Sequence, residues 1–228
     1  MTREVVDSQP AKLVSVRAVC FDLDGLMFNT EHVFFTAGDE LLRRRGHCMT
    51  RDVMNLLIGR RPHESFRALV EHLGLSDDPL ELLRESREIF DALLDHHLRP
   101  MPGVVELLEH LERRGFPRGI ATSSPREYVE NILRRFPWRQ KIQFMLTAED
   151  VTRGKPDPEI YLKAAAKMGV APQEMLVFED SEVGTRAAVA AGALVVSVPH
   201  EFTAHHDFRG AYHVASSLHD PVVKRLLS

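Results

Sequence analysis

Two cysteines in 228 residues, Cys20 and Cys48, leave no room for a disulfide framework, and their spacing fits no metal finger. Both read as free thiols of a reducing cytosol. An excess of one charge is also missing. Lysine and arginine total 29 against 33 acidic residues, a formal net charge of −4, so neither nucleic acid nor an anionic membrane is an expected partner. No stretch approaches the ~18 apolar residues that a membrane span needs, and residues 1–12 hold no apolar signal-peptide core. Internal repeats and low-complexity tracts are absent. The expectation is a soluble, cytoplasmic chain, monomeric or weakly dimeric. With 44% hydrophobic and 27% charged residues, its composition is that of a globular protein able to fill one large core carrying an inserted module.

What is present is organised around residues 18–25. Ala18 to Phe21 is apolar and too short for a helix, so it reads as a buried strand. It runs into Asp22-Leu23-Asp24-Gly25. Strand alternation predicts that Asp22 and Asp24 face the same way, and Gly25 lets the backbone turn sharply after them. Two carboxylates at the end of a buried strand repel each other. A divalent cation is the natural offset.

Beyond Glu31 the signals are helical only. Phe34, Ala37 and Leu41 make one stripe, which stops near Gly46; Thr50 caps a second helix predicted to stop at Gly59. Phe66, Leu69, Val70 and Leu73 make a third, and Asp78-Pro79 opens a fourth with Leu82, Ile89 and Leu93. Four short-linked amphipathic helices form a small bundle, and strand–helix units on both sides make it an insertion. From Met101 onward strands and helices alternate. Helices are predicted around Val104–Leu111, from Pro125 toward Phe136, after Asp157-Pro158, and around Val183–Ala190. Strands are predicted at Arg118–Thr122, Phe144–Leu146, Met175–Phe178 and Leu194–Val198. That alternation implies an α/β fold with a parallel sheet covered on both faces, whose ligands bind beyond the carboxyl ends of the strands. The tail with His200, His205 and His206 reads as a solvated loop.

Four of these strand ends bring polar groups to one edge. They supply Asp22 and Asp24, then Thr122-Ser123-Ser124 at a helix start that favours anions, then Lys155 in a stiff turn between Gly154 and Pro156, and last Glu179-Asp180. Phosphoryl transfer suits such a set. Asp22 and Asp180 can hold a hard cation such as Mg2+, while Thr122 and Lys155 cradle phosphate oxygens. One aspartate can attack phosphorus and the other can move the proton. Position favours Asp22 as nucleophile and Asp24 as acid/base, although the residues alone leave that order open.

The set Asp22-x-Asp24-Gly25, Thr122, Lys155-Pro156 and Glu179-Asp180 resembles the four motifs of haloacid dehalogenase-superfamily phosphatases, over roughly residues 17–200. The resemblance implies a Rossmann-like catalytic core, residues 1–30 and 100–228, with residues 31–99 as a helical cap that sets specificity. It implies Asp22 as nucleophile and Asp24 as acid/base. Mg2+ would be bound by the side chains of Asp22 and Asp180 and the backbone carbonyl of Asp24, with Glu179 assisting. The insertion is similar to the cap of the β-phosphoglucomutase-like and pseudouridine-5′-phosphatase-like branch, with Asn29 where the branch usually has Asp. The expected substrate is a small phosphorylated metabolite. Cap residues Arg60, Arg61 and His63 are candidates for gripping its leaving group. Alternatives are a phosphomutase, whose branch carries a histidine where this chain has Phe34, and a phosphate-binding module without turnover. A phosphonate hydrolase would want a cap lysine, and residues 32–100 contain none.

Overall fold

The structure is a computed structural model and describes residues 15–57 and 62–228. Its elements run β1 (Ala18–Phe21), α1 (Thr30–Arg43), α2 (Arg51–Leu57), α3 (Pro62–Leu73), α4 (Pro79–His97) and α5 (Val104–Arg113). They continue with β2 (Arg118–Ala121), α6 (Arg126–Leu133), β3 (Met145–Leu146), α7 (Glu159–Met168), β4 (Met175–Glu179) and α8 (Glu182–Ala190). The last are β5 (Leu194–Ser197), β6 (His213–Val214) and α9 (Pro221–Leu226). All strand pairings are parallel, in the order β3-β2-β1-β4-β5-β6. The chain winds outward from β1 to β3, then crosses to β4 on the other side of β1. The crevice between β1 and β4 is therefore the topological switch point, where such sheets bind ligands.

Side-chain alternation divides the core into two layers. Val19 and Phe21, with Leu176 and Phe178 of β4, face α5 and α6, where Leu108, Leu111, Val129 and Ile132 meet them. Cys20, with Met175 and Val177, faces the small stripes Ala164, Ala165, Ala187 and Ala188 of α7 and α8. Within α7, Ile160 and Tyr161 fill the same layer. This matters for the site, because a residue that continues the Cys20 or Val177 register is delivered toward α7.

Helices α1 to α4 pack in a bundle, α1 on α4, α4 on α3 and α3 on α2. Val33, Ala37 and Leu41 of α1 and Leu82, Ile89, Phe90 and Leu94 of α4 are its buried stripes. The Asp78 carboxylate caps α4 by accepting from the N–H groups of Leu80 and Glu81 at 2.8 and 3.1 Å. The two chain crossings into the bundle are tied by Asn29. Its Nδ2 donates to the His97 carbonyl at 3.1 Å, and its Oδ1 accepts from the Arg99 N–H at 2.6 Å. An aspartate could make only the second bond, which gives Asn29 a physical reason.

Several predicted elements are shorter than their apolar patterns suggested. The β3 ladder holds only two residues of the expected Phe144–Leu146, and β2 stops at Ala121, one short of Thr122. The short β6 and the helix α9, capped by Asp220, had no periodic signal long enough to announce them. Arg60 and Arg61 lie outside the described residues.

Candidate active site

Asp22 follows β1 in register. Its N–H donates to the Phe178 carbonyl at 3.0 Å, extending the ladder by one bond. Being even-numbered like Cys20, its side chain emerges on the α7 side. There Lys155, 5% exposed, places its Nζ 2.5 Å from Asp22 Oδ1, 2.6 Å from Glu179 Oε1 and 3.0 Å from the Ala121 carbonyl. Burial works against the charge on Lys155, but Asp22 and Glu179 outweigh it and hold the ammonium above its ordinary pKa.

Glu179 is fully buried, and its donors occupy both oxygens. Oε1 accepts from Lys155 and from the Tyr161 hydroxyl at 2.5 Å; Oε2 accepts from the N–H of Asp180 at 3.2 Å, the N–H of Ser181 at 3.4 Å and the Ser181 hydroxyl at 3.1 Å. Gly184 makes room for this carboxylate, since a Cβ there would lie 1.8 Å from Oε1. The sequence reading gave Glu179 to the cation. Although its oxygens lie near those of Asp22 and Asp180, five donors consume its lone pairs, so its geometry serves Lys155 instead.

Asp22 and Asp180 remain as carboxylates with oxygens to spare. Burial pushes Asp22 well above the carboxylate range, with Lys155 opposing and the neighbouring acids adding to the rise. Burial likewise lifts Asp180 to about 7, against its His200 hydrogen bond. One ammonium among three buried carboxylates leaves an excess of negative charge, and the strain shows in both groups. An all-oxygen donor pair carrying that excess fits a hard divalent cation.

Asp24 has different company. The strand has ended, and the Gly25 turn (φ +75°) carries Asp24 toward α6. Its Oδ2 accepts from the Ser124 hydroxyl at 2.6 Å and its Oδ1 from the Tyr128 hydroxyl at 2.8 Å. The expectation that the two aspartates face the same way is therefore corrected. Alternation governs Asp22, but the turn overrides it for Asp24. Burial raises Asp24, while the Ser124 and Tyr128 hydrogen bonds pull it down.

Thr122 is buried at the end of β2, and its Oγ1 accepts from the Ser124 N–H at 3.1 Å, holding the turn that presents Ser124. Ser123 is exposed and lines the cleft between bundle and sheet, together with Asp24, Phe34, Phe90 and Tyr128. Phe34 is 42% exposed and stacks on Phe90 at 4.1 Å between centroids. His63 stands on α3, exposed, 3.7 Å from Glu64, and does not line this cleft. The C-terminal histidines need a correction. His205 is exposed, but His200 is tucked in beside Asp180 at 3.1 Å and Glu31 at 3.0 Å, so the turn after β5 is part of the site.

Sequence reasoning missed Ser124 and Tyr128 as partners of Asp24; Ser124 lies in the turn just before the α6 cap and Tyr128 in the first turn of α6. Tyr161 stands among the buried residues of α7, yet its hydroxyl reaches Glu179. The chain has only three tyrosines, and two of them donate to site carboxylates. Nothing local in the sequence pointed to His200.

Comparison with known proteins places this geometry. Residues 19–198 match the haloacid dehalogenase-like hydrolase family. The chain belongs to that family. Its relatives include the phosphorylated carbohydrates phosphatase of Thermotoga maritima, 32% identical over 177 residues that cover 78% of this chain and 82% of that protein. Another is a Drosophila melanogaster protein named "Probable pseudouridine-5'-phosphatase", 33% identical over 208 residues, 88% of this chain and 89% of the other. Among solved structures, CbbY from Rhodobacter sphaeroides in complex with phosphate superposes with a TM-score of 0.74 at 27% identity, covering 89% of this chain and 94% of that one. The expected family and fold class both hold. The dehalogenase-like hydrolases similar to this chain include enzymes named as phosphatases, in keeping with an enzyme rather than a bare binding module.

Proposed function

We propose that this family member is a Mg2+-dependent phosphatase that hydrolyses a small phosphorylated metabolite, a sugar phosphate or a nucleotide-like ester, through a phosphorylated Asp22. One observation carries the reading. A nucleophile candidate ion-paired to a buried lysine sits two residues from a carboxyl group held only by neutral hydroxyls. Residues 1–30 and 100–228 serve as the catalytic core and residues 31–99 as the cap.

Asp22 and Asp180, with the Asp24 backbone carbonyl, would hold the cation. When bound, Mg2+ supplies positive charge for phosphoryl oxygens that no neutral donor could match. Lys155 adds a second charge from the opposite side, kept in place by Glu179, which is itself fixed by Tyr161. Thr122 and Ser123 offer hydroxyl and backbone donors at the α6 end.

The Asp22 carboxylate attacks phosphorus, and the bond to the ester oxygen breaks. Asp24 gives its proton to that departing oxygen, which leaves as an alcohol. The same Asp24 then takes a proton from water as the water attacks phosphorus of the Asp22 acyl phosphate and the Asp22 carboxylate leaves. Inorganic phosphate departs and both aspartates return to their starting states. Buried as it is, Asp24 keeps a proton more readily than a solvated aspartate, as its first task requires. Phe34 brings no ionisable group to the cleft, so position 34 offers no proton carrier for return of the phosphoryl group to a sugar, which favours hydrolysis over mutase chemistry.

Arg60, with Arg61 assisting, is assigned to the leaving group by their cluster in the sequence; His63, which does not line the cleft, is left out of that role. The test of the whole reading is Asp22→Asn. Turnover of any phosphomonoester should fall below detection while circular dichroism and melting stay those of the folded protein. Mass spectrometry of wild-type protein quenched during turnover should find the phosphate on Asp22, and a phosphate on any other residue would refute the assignment.

A further inference from the structure

His200 begins the turn that follows β5. Its N–H donates to the Thr203 hydroxyl at 3.1 Å, and the Thr203 N–H donates back to the His200 carbonyl at 3.0 Å. The Phe202 N–H points at His200 Nδ1 from 3.3 Å. The turn is clasped to α1 as well. Phe202 packs edge-on against His32 and near Phe35, at 5.3 and 5.8 Å between centroids, and Glu201 pairs with His32 at 2.8 Å. These contacts fix the imidazole plane. Its side chain is only 10% exposed.

Nε2 hydrogen-bonds Asp180 Oδ2 at 3.1 Å, while Glu31 Oε2 lies 3.0 Å away as an ion-pair contact without hydrogen-bond geometry. Gly25 is what permits that approach. A Cβ at this position would come within 2.5 Å of His200 Nε2 and 2.7 Å of Asp180 Oδ2. Glu31, Asp180 and His200 are close enough to be imagined as a second cation site. The Phe202 N–H argues against it. A metal on Nε2 would need the ring proton on Nδ1, directly facing that N–H. The two carboxylates favour the imidazolium, raising His200 to about 9 against its burial, whereas the Phe202 contact favours the neutral ring. The dispute does not touch Nε2, which carries a hydrogen in either form.

We infer that His200 is a positioning residue of the proposed phosphatase site: its Nε2–H holds Asp180 Oδ2, so that the other oxygen of Asp180 is presented to the cation, with the Thr203 and Phe202 contacts of its own turn fixing the ring. The inference rests on the reading of Asp180 as a cation ligand. Lys155 does not reach Asp180 as it does Asp22, so among the described residues the Asp180 carboxylate has no side-chain donor but His200 to set its rotation. Partners of ligands usually tune metal affinity by about 10- to 100-fold.

The experiment is direct Mn2+ binding to the full chain by titration calorimetry, beside the Mg2+ concentration that half-activates hydrolysis of p-nitrophenyl phosphate. His200→Ala should weaken both by about tenfold or more. His200→Gln, whose amide N–H reaches about as far as Nε2, should recover most of the loss. If wild-type protein binds no Mn2+, the cation reading itself falls and takes this inference with it. If wild type binds and His200→Ala binds within twofold of it, only the role of His200 is overturned. Equal weakening in the Ala and Gln variants would mean that ring packing, not the hydrogen bond, matters, and would also overturn it. Should His200→Ala fail to fold, His200→Gln decides alone: affinity near wild type supports the inference, and a tenfold loss sinks it.

Discussion

The two walls of the cleft treat their carboxylates differently. On the α7 side, Asp22 meets a buried ammonium and two further carboxylates. On the α6 side, Asp24 meets two hydroxyls, one of them from Tyr128, whose ring stacks with Phe34 and Phe90. Two chemically identical side chains, separated by one leucine, are thus given a charged setting and a neutral one. A carboxylate that must stay ionised to attack phosphorus needs positive charge beside it, which Lys155 supplies in part and the proposed cation would complete against burial and the neighbouring acids. One that must hold and return a proton needs the second kind of wall. Division of labour between paired acids is a property of their surroundings, not of the Asp-x-Asp spacing.

Removing the cation breaks the charged wall outright. Activity should vanish in EDTA and return with Mg2+; undiminished turnover in chelator would mean that Lys155 alone balances the site. Breaking the other wall at its acid comes next. Asp24→Asn should cost about 10²–10⁴ in kcat, the usual worth of a general acid/base, while Mn2+ affinity stays close to wild type because the Asp24 side chain is turned to α6. A loss below tenfold would remove Asp24 from the proton transfers.

The cap offers a smaller effect that leaves both walls standing. Arg60→Ala should lower kcat/KM for the physiological substrate by roughly tenfold, about 1.4 kcal/mol, and barely alter p-nitrophenyl phosphate hydrolysis. Equal losses on both substrates would place the damage in the core. The finest test is Tyr128→Phe, which deletes one of two donors to Asp24 and keeps the ring. A hydrogen bond to a charged acceptor contributes about 1.5–3 kcal/mol at most, and with Ser124 still in place we expect kcat to fall by about threefold to tenfold. An unchanged kcat would show that Ser124 by itself orients the acid.

Much of this was legible in advance because it depends on local rules. The strand of Ala18–Phe21, the glycine after the aspartates and the cap at Asp78 are set by neighbours in the chain. Boundaries were less legible. The Arg118–Thr122 pattern continues past the point where β2 stops, because pairing partners rather than propensity end a ladder. Within the site, Lys155 was found from its Gly-Lys-Pro setting, but the five donors around Glu179 come from a helix, a loop and a strand end that share no sequence signal.

By itself the sequence determined the α/β order of elements, the helical insertion and the segments that bring Asp22, Thr122, Lys155 and Asp180 to the candidate site. Hydrophobic period and turn residues encode those within a few positions of each site. Only the tertiary structure decided how the charges are shared. Which carboxylate meets Lys155, which meets Tyr128, and that His200 leaves solvent to stand beside Asp180 are outcomes of packing between segments as many as 133 residues apart. Electrostatic roles follow from burial and distance, and neither exists until the chain has closed on itself.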